Sequence, residues 1–521
     1  MSHEIKWILI LVVLLISACC THAEAASREF VLEETTISDI HHAMKSGKLT
    51  ARQLVERYLK RIEAYDKKGP AINAVIMINP QALELADELD AKFKASGFVG
   101  PLHGIPLMIK DNVGTKDMPT TAGSLSFKGF IPPDDAFIVK KLKQAGAIIL
   151  AKVNLHEFAF GSETASSILG QTLNPYDLTR TPGGSSGGTA ASVAANFGTI
   201  GIGTDTGNSI RSPASSNNIV GIRPTLGIVS RNGIVPNSSG QDTAGPLTRT
   251  VTDAAILLDA IAGYDQEDSV TAWNVGNIPK TYKASLDRKG LQRARLGVLK
   301  CFFGTDKEAI EVKEVIGKAI EAMKKQGAVI IPLDELVDRK DIDGANVTRY
   351  ETRDEMNEYL QKMGSRAPVK SLEEIISSGK YHKKIEEGLK NRQQLSKADP
   401  EYKERLIRRI KLQENFLKIM ADHNLDAIVY PHQTNLVSKI GKGGVGSNGH
   451  YTAVMGFPSI AVPAGFSAPS AEAPLGVPIG IEFVGRPWTD PLLIKLAYAF
   501  EQATKFRHPP LSTPFLSDRG K

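Results

Sequence analysis

The sequence predicts an α/β protein in which helices cover a mixed or mostly parallel β-sheet. Apolar runs of strand length alternate along the chain with longer stretches of helical periodicity, which is the pattern of α/β proteins. The composition is that of an ordinary globular protein, with 42% hydrophobic and 23% charged residues in 521 positions. Neither an internal repeat nor a clear linker divides the chain.

The elements follow from local patterns, in chain order. Residues 49–66 place apolar side chains at helical spacing, and Thr50 with Gln53 forms a capping box at the start of that helix. A second helix is predicted over residues 80–96. Buried strands are predicted at 104–113, within 134–154 after a helix, and at 200–210, 294–300, 327–333 and 425–431.

The segment 335–424 is charge-rich and helical. Between Lys380 and Lys411 it holds 11 Lys and Arg against 5 Asp and Glu, so a basic RNA-binding face is one interpretation. A solvated helical face or a lid is favoured, because acidic residues are interspersed and aromatic residues are few. A net charge of +6 is mild for this length, and we expect no nucleic-acid partner.

The first residues resemble a secretory signal peptide. An apolar run from Trp7 to Ala18 follows a short polar start, and Ala23-Glu24-Ala25 provides an A-x-A cleavage site. The run is shorter than the about 20 residues of a membrane span. We therefore expect residues 1–25 to be removed and the protein to be secreted or periplasmic. Ile16-Ser17-Ala18-Cys19 also resembles a bacterial lipobox, in which case Cys19 would carry a lipid anchor.

A run of glycine and serine from Gly183 to Gly188 precedes an alanine-rich helical pattern. It contains G-x-S-x-G, but the nucleophile elbow requires a buried strand before it, and here a polar loop precedes it. Ser209 lies 24 positions after Ser185, in a second glycine-rich turn, and Lys110 ends an apolar strand. A lysine there is costly to bury unless it is paired or neutral.

This constellation resembles the amidase signature family, most strongly over residues 100–255. The resemblance implies one large domain with a mixed central sheet, here residues 26–521. It also implies a Ser-Ser-Lys triad, with Ser209 as nucleophile, Ser185 as a bridging serine after a cis peptide bond, and Lys110 as base. A serine hydroxyl needs such a base, and a lysine serves only when neutral.

The same resemblance implies an oxyanion hole made by backbone N–H groups. These belong to Thr206, Gly207, Asn208 and Ser209. Asp205 and Arg211 are implied to support this loop, and Asp242 to support the site from behind. Asn208 stands where most family members have glycine. Because Asn tolerates a left-handed backbone, we expect the turn to be kept and the new side chain to affect the range of substrates.

The predicted activity is hydrolysis of a carboxamide by an exported amidase, through an acyl-enzyme on Ser209. The expected partner is a small-molecule or peptide amide, with no cofactor, no metal and no membrane span, in a monomer or homodimer. Two alternatives stay open: an amidotransferase of the tRNA-dependent type, whose A component releases ammonia from glutamine, and a silent scaffold. His103, His156 and His450 could line the site, although a structural role is favoured for each.

Overall fold

The computed structural model describes residues 30–305, 307–335, 337–443 and 446–516. The predicted signal peptide and Cys19 lie outside these residues. The strands are β1 (Val75–Ile78), β2 (Pro106–Lys110), β3 (Ile148–Val153), β4 (Ala165–Ser166), β5 (Gly170–Gln171), β6 (Ile200–Asp205), β7 (Val220–Arg223), β8 (Thr243–Thr248), β9 (Arg295–Leu299), β10 (Val329–Leu333), β11 (Ala427–Pro431), β12 (Ser459–Phe466) and β13 (Pro478–Val484).

Eleven of these strands form one mixed sheet in the order β1-β3-β2-β6-β8-β7-β12-β13-β11-β9-β10, and β4 pairs with β5. Pairing is parallel within β3-β2-β6 and within β11-β9-β10. The strands between these two groups pair antiparallel. The prediction of a single α/β domain with a mixed sheet is therefore confirmed.

The α-helices surround this sheet. They are α1 (Ile37–Lys45), α2 (Ala51–Tyr65), α3 (Ala82–Ser96), α4 (Phe137–Gln144), α5 (Gly187–Ala194), α6 (Arg211–Ser216), α7 (Val251–Ile261), α8 (Ile310–Lys325), α9 (Arg339–Ala345), α10 (Thr348–Met363), α11 (Leu372–Ser378), α12 (Glu386–Gln393), α13 (Pro400–Asp422), α14 (His450–Met455) and α15 (Asp490–Thr504). Short 3-10 helices lie at Leu125–Phe127, Glu157–Ala159, Ser269–Asn274, Tyr282–Ser285, Lys300–Phe302, Lys307–Ala309, Gly364–Arg366 and Lys383–Ile385.

The local predictions hold where the pattern is periodic. Helix α2 begins after Thr50, and the reciprocal hydrogen bonds of the capping box with Gln53 are both present. The predicted strands at 104–113 and 200–210 are β2 and β6. Of the helices that the described residues form, none combines the length and the apolar character needed to cross a membrane.

The topology brings two distant stretches of sequence to one edge of the sheet. Strands β2 and β6 are parallel neighbours, so their carboxyl ends lie at the same edge. Lys110 ends β2 and Asp205 ends β6. Helix α5 packs closely on β6 because Gly201 has no side chain: a Cβ there would lie 2.4 Å from Thr189. This packing carries the glycine-serine run to the same edge.

Candidate active site

Lys110 and Ser185 are in direct contact at this edge. Lys110 Nζ lies 2.7 Å from Ser185 Oγ and 2.7 Å from Thr204 Oγ1, and all three side chains are buried. The Gly184–Ser185 peptide bond is cis, the geometry that the family resemblance implied. Lys110 forms no salt bridge to any described residue.

Ser209 lies on the neighbouring loop, and its hydroxyl is not hydrogen-bonded to Ser185. The two loops are joined through the backbone, since Ser186 N–H donates to the Ser209 carbonyl at 3.2 Å. Within the described residues, Ser209 Oγ makes no hydrogen bond. Contacts between a nucleophile and its base commonly tighten only when substrate binds. The structure thus joins the first two predicted members of the triad and places the third on the adjoining loop.

Burial shifts Lys110 toward its neutral form. Desolvation lowers the pKa of Lys110 from 10.5 to about 7, and the carboxylates of Asp205 and Asp242 oppose this shift without cancelling it. About half of the lysine is then neutral near pH 7, and only the neutral amine has a lone pair that accepts a proton.

The glycine-serine run is packed into the interior. A Cβ on Gly188 would lie 2.2 Å from the Asn154 carbonyl oxygen, and one on Gly187 would lie 2.2 Å from Thr164 Oγ1. Thr164 Oγ1 donates in turn to the Gly183 carbonyl at 2.7 Å. Residues 183–188 are all buried, so this composition serves close packing around Ser185 and not a flexible linker.

The loop 206–209 has all its carbonyl groups engaged and its N–H groups unengaged. Gln241 Nε2 donates to the Thr206 carbonyl at 2.9 Å, Arg211 Nη2 donates to that of Gly207 at 2.9 Å, and the Ser212 N–H donates to that of Asn208 at 2.7 Å. No described residue accepts a hydrogen bond from the N–H groups of residues 206–209. Four free donors beside a serine hydroxyl have the chemistry needed to bind an oxyanion.

A buried ion network holds this loop. Asp205 accepts from Arg211 Nε at 3.1 Å and from Arg223 Nη1 at 2.9 Å, and Arg211 also donates to Glu482 at 2.5 Å. Burial alone would raise the pKa of Asp205, but the two guanidiniums outweigh it and hold this pKa well below its usual range. The arrangement keeps Asp205 charged and places Arg211 on the Gly207 carbonyl.

Asp242 fixes the other end of the loop. It accepts from Thr206 Oγ1 at 2.6 Å and from the N–H groups of Asn237 and Ser238, each at 2.8 Å. Burial raises its pKa, although these three hydrogen bonds oppose that shift. Its position behind Thr206 matches the supporting place that the family resemblance implied.

The prediction for the backbone of Asn208 is wrong. Asn208 does not have a positive φ, so the turn needs no left-handed residue at this position. Its side chain is 7% exposed, and a Cβ on Gly449 would lie 2.9 Å from Asn208 Cβ. The space that glycine would leave open is therefore filled by this side chain at the boundary of the pocket described next.

Ser209 opens into a cavity of ≈ 330 Å³, which we call the Ser209 pocket. It is lined by Ala159, Phe160, Gly161, Ser162, Thr206, Gly207, Asn208, Ser209, Asn237, Asn346, Thr348, Arg349, Arg392, Ser447 and His450. Its size falls in the range of small-molecule sites. Helices α10 and α12 thus form part of the pocket wall, so the charge-rich segment is more than a solvated face.

The three histidines occupy different places. His450 lines the Ser209 pocket and packs against Gly207, where a Cβ would lie 2.7 Å from its ring. His156 is buried; its ring accepts from the Glu163 N–H at 3.2 Å, while its backbone N–H donates to the Ser185 carbonyl. His103 packs among Phe93 and Phe98, away from the site.

Several residues of the site carry no sequence signal. Thr204 contacts Lys110, and Arg223, Gln241 and Glu482 hold the oxyanion loop, yet each lies in an ordinary strand or loop pattern. Glu482 is 271 positions from its partner Arg211, so only the fold brings the pair together. The described residues contain no group of three or more His, Cys, Asp or Glu side chains that could hold a metal ion.

Comparison with known proteins supports the resemblance. Residues 53–494 match the family model described as Amidase. A probable amidase of Arabidopsis thaliana is 36% identical over 511 residues, which cover 93% of each chain. The A component of the glutamyl-tRNA(Gln) amidotransferase of Thermoanaerobacter pseudethanolicus is 36% identical over 499 residues, covering 92% of this chain and 98% of that one.

A solved structure resembles the whole described chain. The native peptide amidase from Stenotrophomonas maltophilia superposes with a TM-score of 0.82 at 37% identity, and the match covers 92% of this chain and 98% of that one.

Proposed function

Because this chain belongs to the amidase family and is a hydrolase of amide C–N bonds, we propose that it acts through an acyl-enzyme on Ser209. The products are a carboxylic acid and ammonia or an amine. The contact between Lys110 Nζ and Ser185 Oγ is the observation that carries the proposal, because it gives a partly neutral base a serine proton to accept.

In the proposed first step, Ser209 Oγ attacks the amide carbonyl carbon. Its proton passes to Ser185 Oγ, whose own proton passes to Lys110 Nζ, since a hydroxyl both accepts and donates. The N–H groups of residues 206–209 bind the oxyanion of the tetrahedral intermediate. The proton then returns along the same side chains to the leaving nitrogen, the C–N bond breaks, and water hydrolyses the acyl-enzyme by the same steps.

The test is ammonia release by the wild-type protein and by Ser209→Ala. The amide panel holds a peptide amide, an aryl amide, a fatty amide, a short aliphatic amide and glutamine. Ser192→Ala is the matched control, because Ser192 is buried in α5 and its hydroxyl has no hydrogen-bond partner. We expect turnover that Ser192→Ala retains and Ser209→Ala loses by at least about 10³-fold.

A phosphonate probe that labels activated serines separates the alternatives. Labelling of the wild type and of Ser192→Ala, but not of Ser209→Ala, supports the acyl-enzyme. Folded wild-type protein that takes no label and hydrolyses no amide would favour the scaffold.

The second candidate, the A component of a tRNA-dependent amidotransferase, is favoured by the likeness to such a protein at 36% identity. It predicts glutamine as the preferred amide of the panel and co-purification with partner proteins or tRNA. We further propose that the protein is exported, on the strength of the apolar run Trp7–Ala18 and the small residues after it. Export by this route is incompatible with a cytosolic tRNA complex.

Intact-mass measurement of the cell-derived protein tests export. Loss of residues 1–25 supports cleavage by a signal peptidase, and a chain that begins at a lipidated Cys19 supports a tethered form. An unprocessed chain recovered from the cytosol would contradict both.

A further inference from the structure

Two arginines line the Ser209 pocket. Arg349 lies in the first turn of α10 and is exposed, and Arg392 lies near the end of α12 and is partly buried. No Asp or Glu stands among the described residues that line this pocket. Burial and the nearby Arg211 lower the pKa of His450, so its imidazole is neutral at pH 7. The pocket wall therefore carries two positive charges and no compensating negative one.

Arg392 has no carboxylate partner among the described residues. Its Nη1 donates to the Gly388 carbonyl of its own helix at 3.1 Å, and its Nε is buried with no hydrogen-bond partner. Elsewhere in the described chain, Arg211 and Arg231 each lie within 3.1 Å of a carboxylate oxygen. An unpaired, partly desolvated guanidinium is costly in a fold, and an anion is the partner that removes this cost.

The electrostatics of the two side chains are coupled. Burial first, and then the positive charge of Arg349, lower the pKa of Arg392 to about 10. Arg349 forms no ion pair with any residue that the structure describes. An anion near both guanidiniums would relieve their mutual repulsion and satisfy the free Nε.

The guanidinium of Arg392 is held in place by an aromatic ring. It lies 4.2 Å from the ring centroid of Phe160, which in turn packs on Phe158 at 5.8 Å. The turn that presents Phe160 is strained, with φ of 53° at Phe158 and 61° at Ala159. Non-glycine residues in this region persist where the surroundings hold them, often at ligand-binding sites. Stacking leaves the edge of the guanidinium free for hydrogen bonds.

We propose that Arg349 and Arg392 form an anion subsite of the Ser209 pocket, and that the amide substrate carries a carboxylate on its acyl portion. The inference rests on the proposed function, because with ammonia as leaving group the rest of the substrate belongs to the acyl portion. A planar carboxylate matches the forked donors of arginine.

The test compares matched pairs of amides by their kcat/KM for ammonia release. One pair is the monoamide of glutaric acid and the neutral amide in which an isopropyl group replaces the carboxylate. The other is N-succinyl-phenylalaninamide and its analogue with the same replacement. The variants are Arg392→Gln and Arg349→Gln. Arg408→Gln is the control, because it removes one positive charge from an exposed site outside the pocket.

In the wild type we expect the anionic member of at least one pair to be preferred by about tenfold or more. Arg392→Gln should reduce that preference by about tenfold while kcat/KM for the neutral member changes little. Arg349→Gln should reduce it less, because this side chain is exposed to solvent and screened by salt. Arg408→Gln should leave it unchanged. A wild type that prefers both neutral members, or an equal loss on both members in Arg392→Gln, would overturn the subsite.

Binding to Ser209→Ala by calorimetry separates this inference from the proposed function. Tighter binding of the anionic member, weakened by a second Arg349→Gln change, supports the subsite even where no amide is hydrolysed. Equal binding of both members of each pair would overturn the subsite while leaving amide hydrolysis intact.

Discussion

The acid side of the pH–rate profile depends on Lys110. At its ordinary pKa of 10.5, about one lysine side chain in 3,000 is neutral at pH 7, whereas at a pKa of about 7 half of them are. Burial therefore increases the population of competent base by more than about 1,000-fold at neutral pH. Because the neutral form is the base, activity is lost as the pH falls through this value.

We predict that kcat/KM reaches a plateau above about pH 8 and falls about tenfold for each unit below pH 7. At pH 5 the rate should be about 1% of the plateau. The assay is initial-rate ammonia release from pH 5 to pH 9, with circular dichroism to confirm that the fold persists. His156 does not complicate this range, because its burial lowers its pKa to about 3.

Asp242→Asn provides the matched perturbation. The Asp242 carboxylate raises the pKa of Lys110, so its removal should move the midpoint of the profile to lower pH. A midpoint does not depend on the fraction of active enzyme, which separates this effect from a simple loss of stability. A rate that is independent of pH from 5 to 9, with acylation shown to be rate-limiting, would refute Lys110 as the base.

Two further predictions concern the framework of the site. Asp205→Asn should lower the free energy of unfolding by about 3–5 kcal/mol, because it leaves two buried guanidiniums without their shared carboxylate; urea denaturation measures this, and a change below about 1 kcal/mol would contradict it. Gly188→Ala should cost about 1–3 kcal/mol and lower activity, because the added Cβ would lie 2.2 Å from the Asn154 carbonyl oxygen. Gly317→Ala in α8 is its control, since no atom lies within 4 Å of the added Cβ, and it should be neutral or stabilising.

Much of the fold was predictable because its outer strands are continuous apolar runs next to periodic helices. The antiparallel strands β7, β8 and β12 were not predicted. They are buried almost throughout, so they show no alternation, and β8 and β12 contain proline and glycine, which interrupt a strand pattern. Neighbouring strands supply the missing side-chain volume here, which no local pattern records.

The site divides along the same line. Lys110, Ser185 and Ser209 could be found because each lies in a distinctive local sequence within about 100 positions of the others. Arg349 and Arg392 could not be found, because a cation in a charge-rich helix looks like a solvated one until the fold shows which face it occupies. The backbone of Asn208 was mispredicted for a related reason: a family preference for glycine can reflect space around a residue as well as its φ.

The oxyanion loop indicates how a buried ion network can serve chemistry at a distance. Backbone N–H groups remain available for substrate only if the same peptides do not fold into a helix or strand, and that leaves their carbonyls in need of donors. Arg211 donates to one of these carbonyls and is itself fixed by Asp205 and Glu482. The carboxylates therefore act on the loop through a guanidinium: they hold the acceptors inward, and the donors face Ser209 as a consequence.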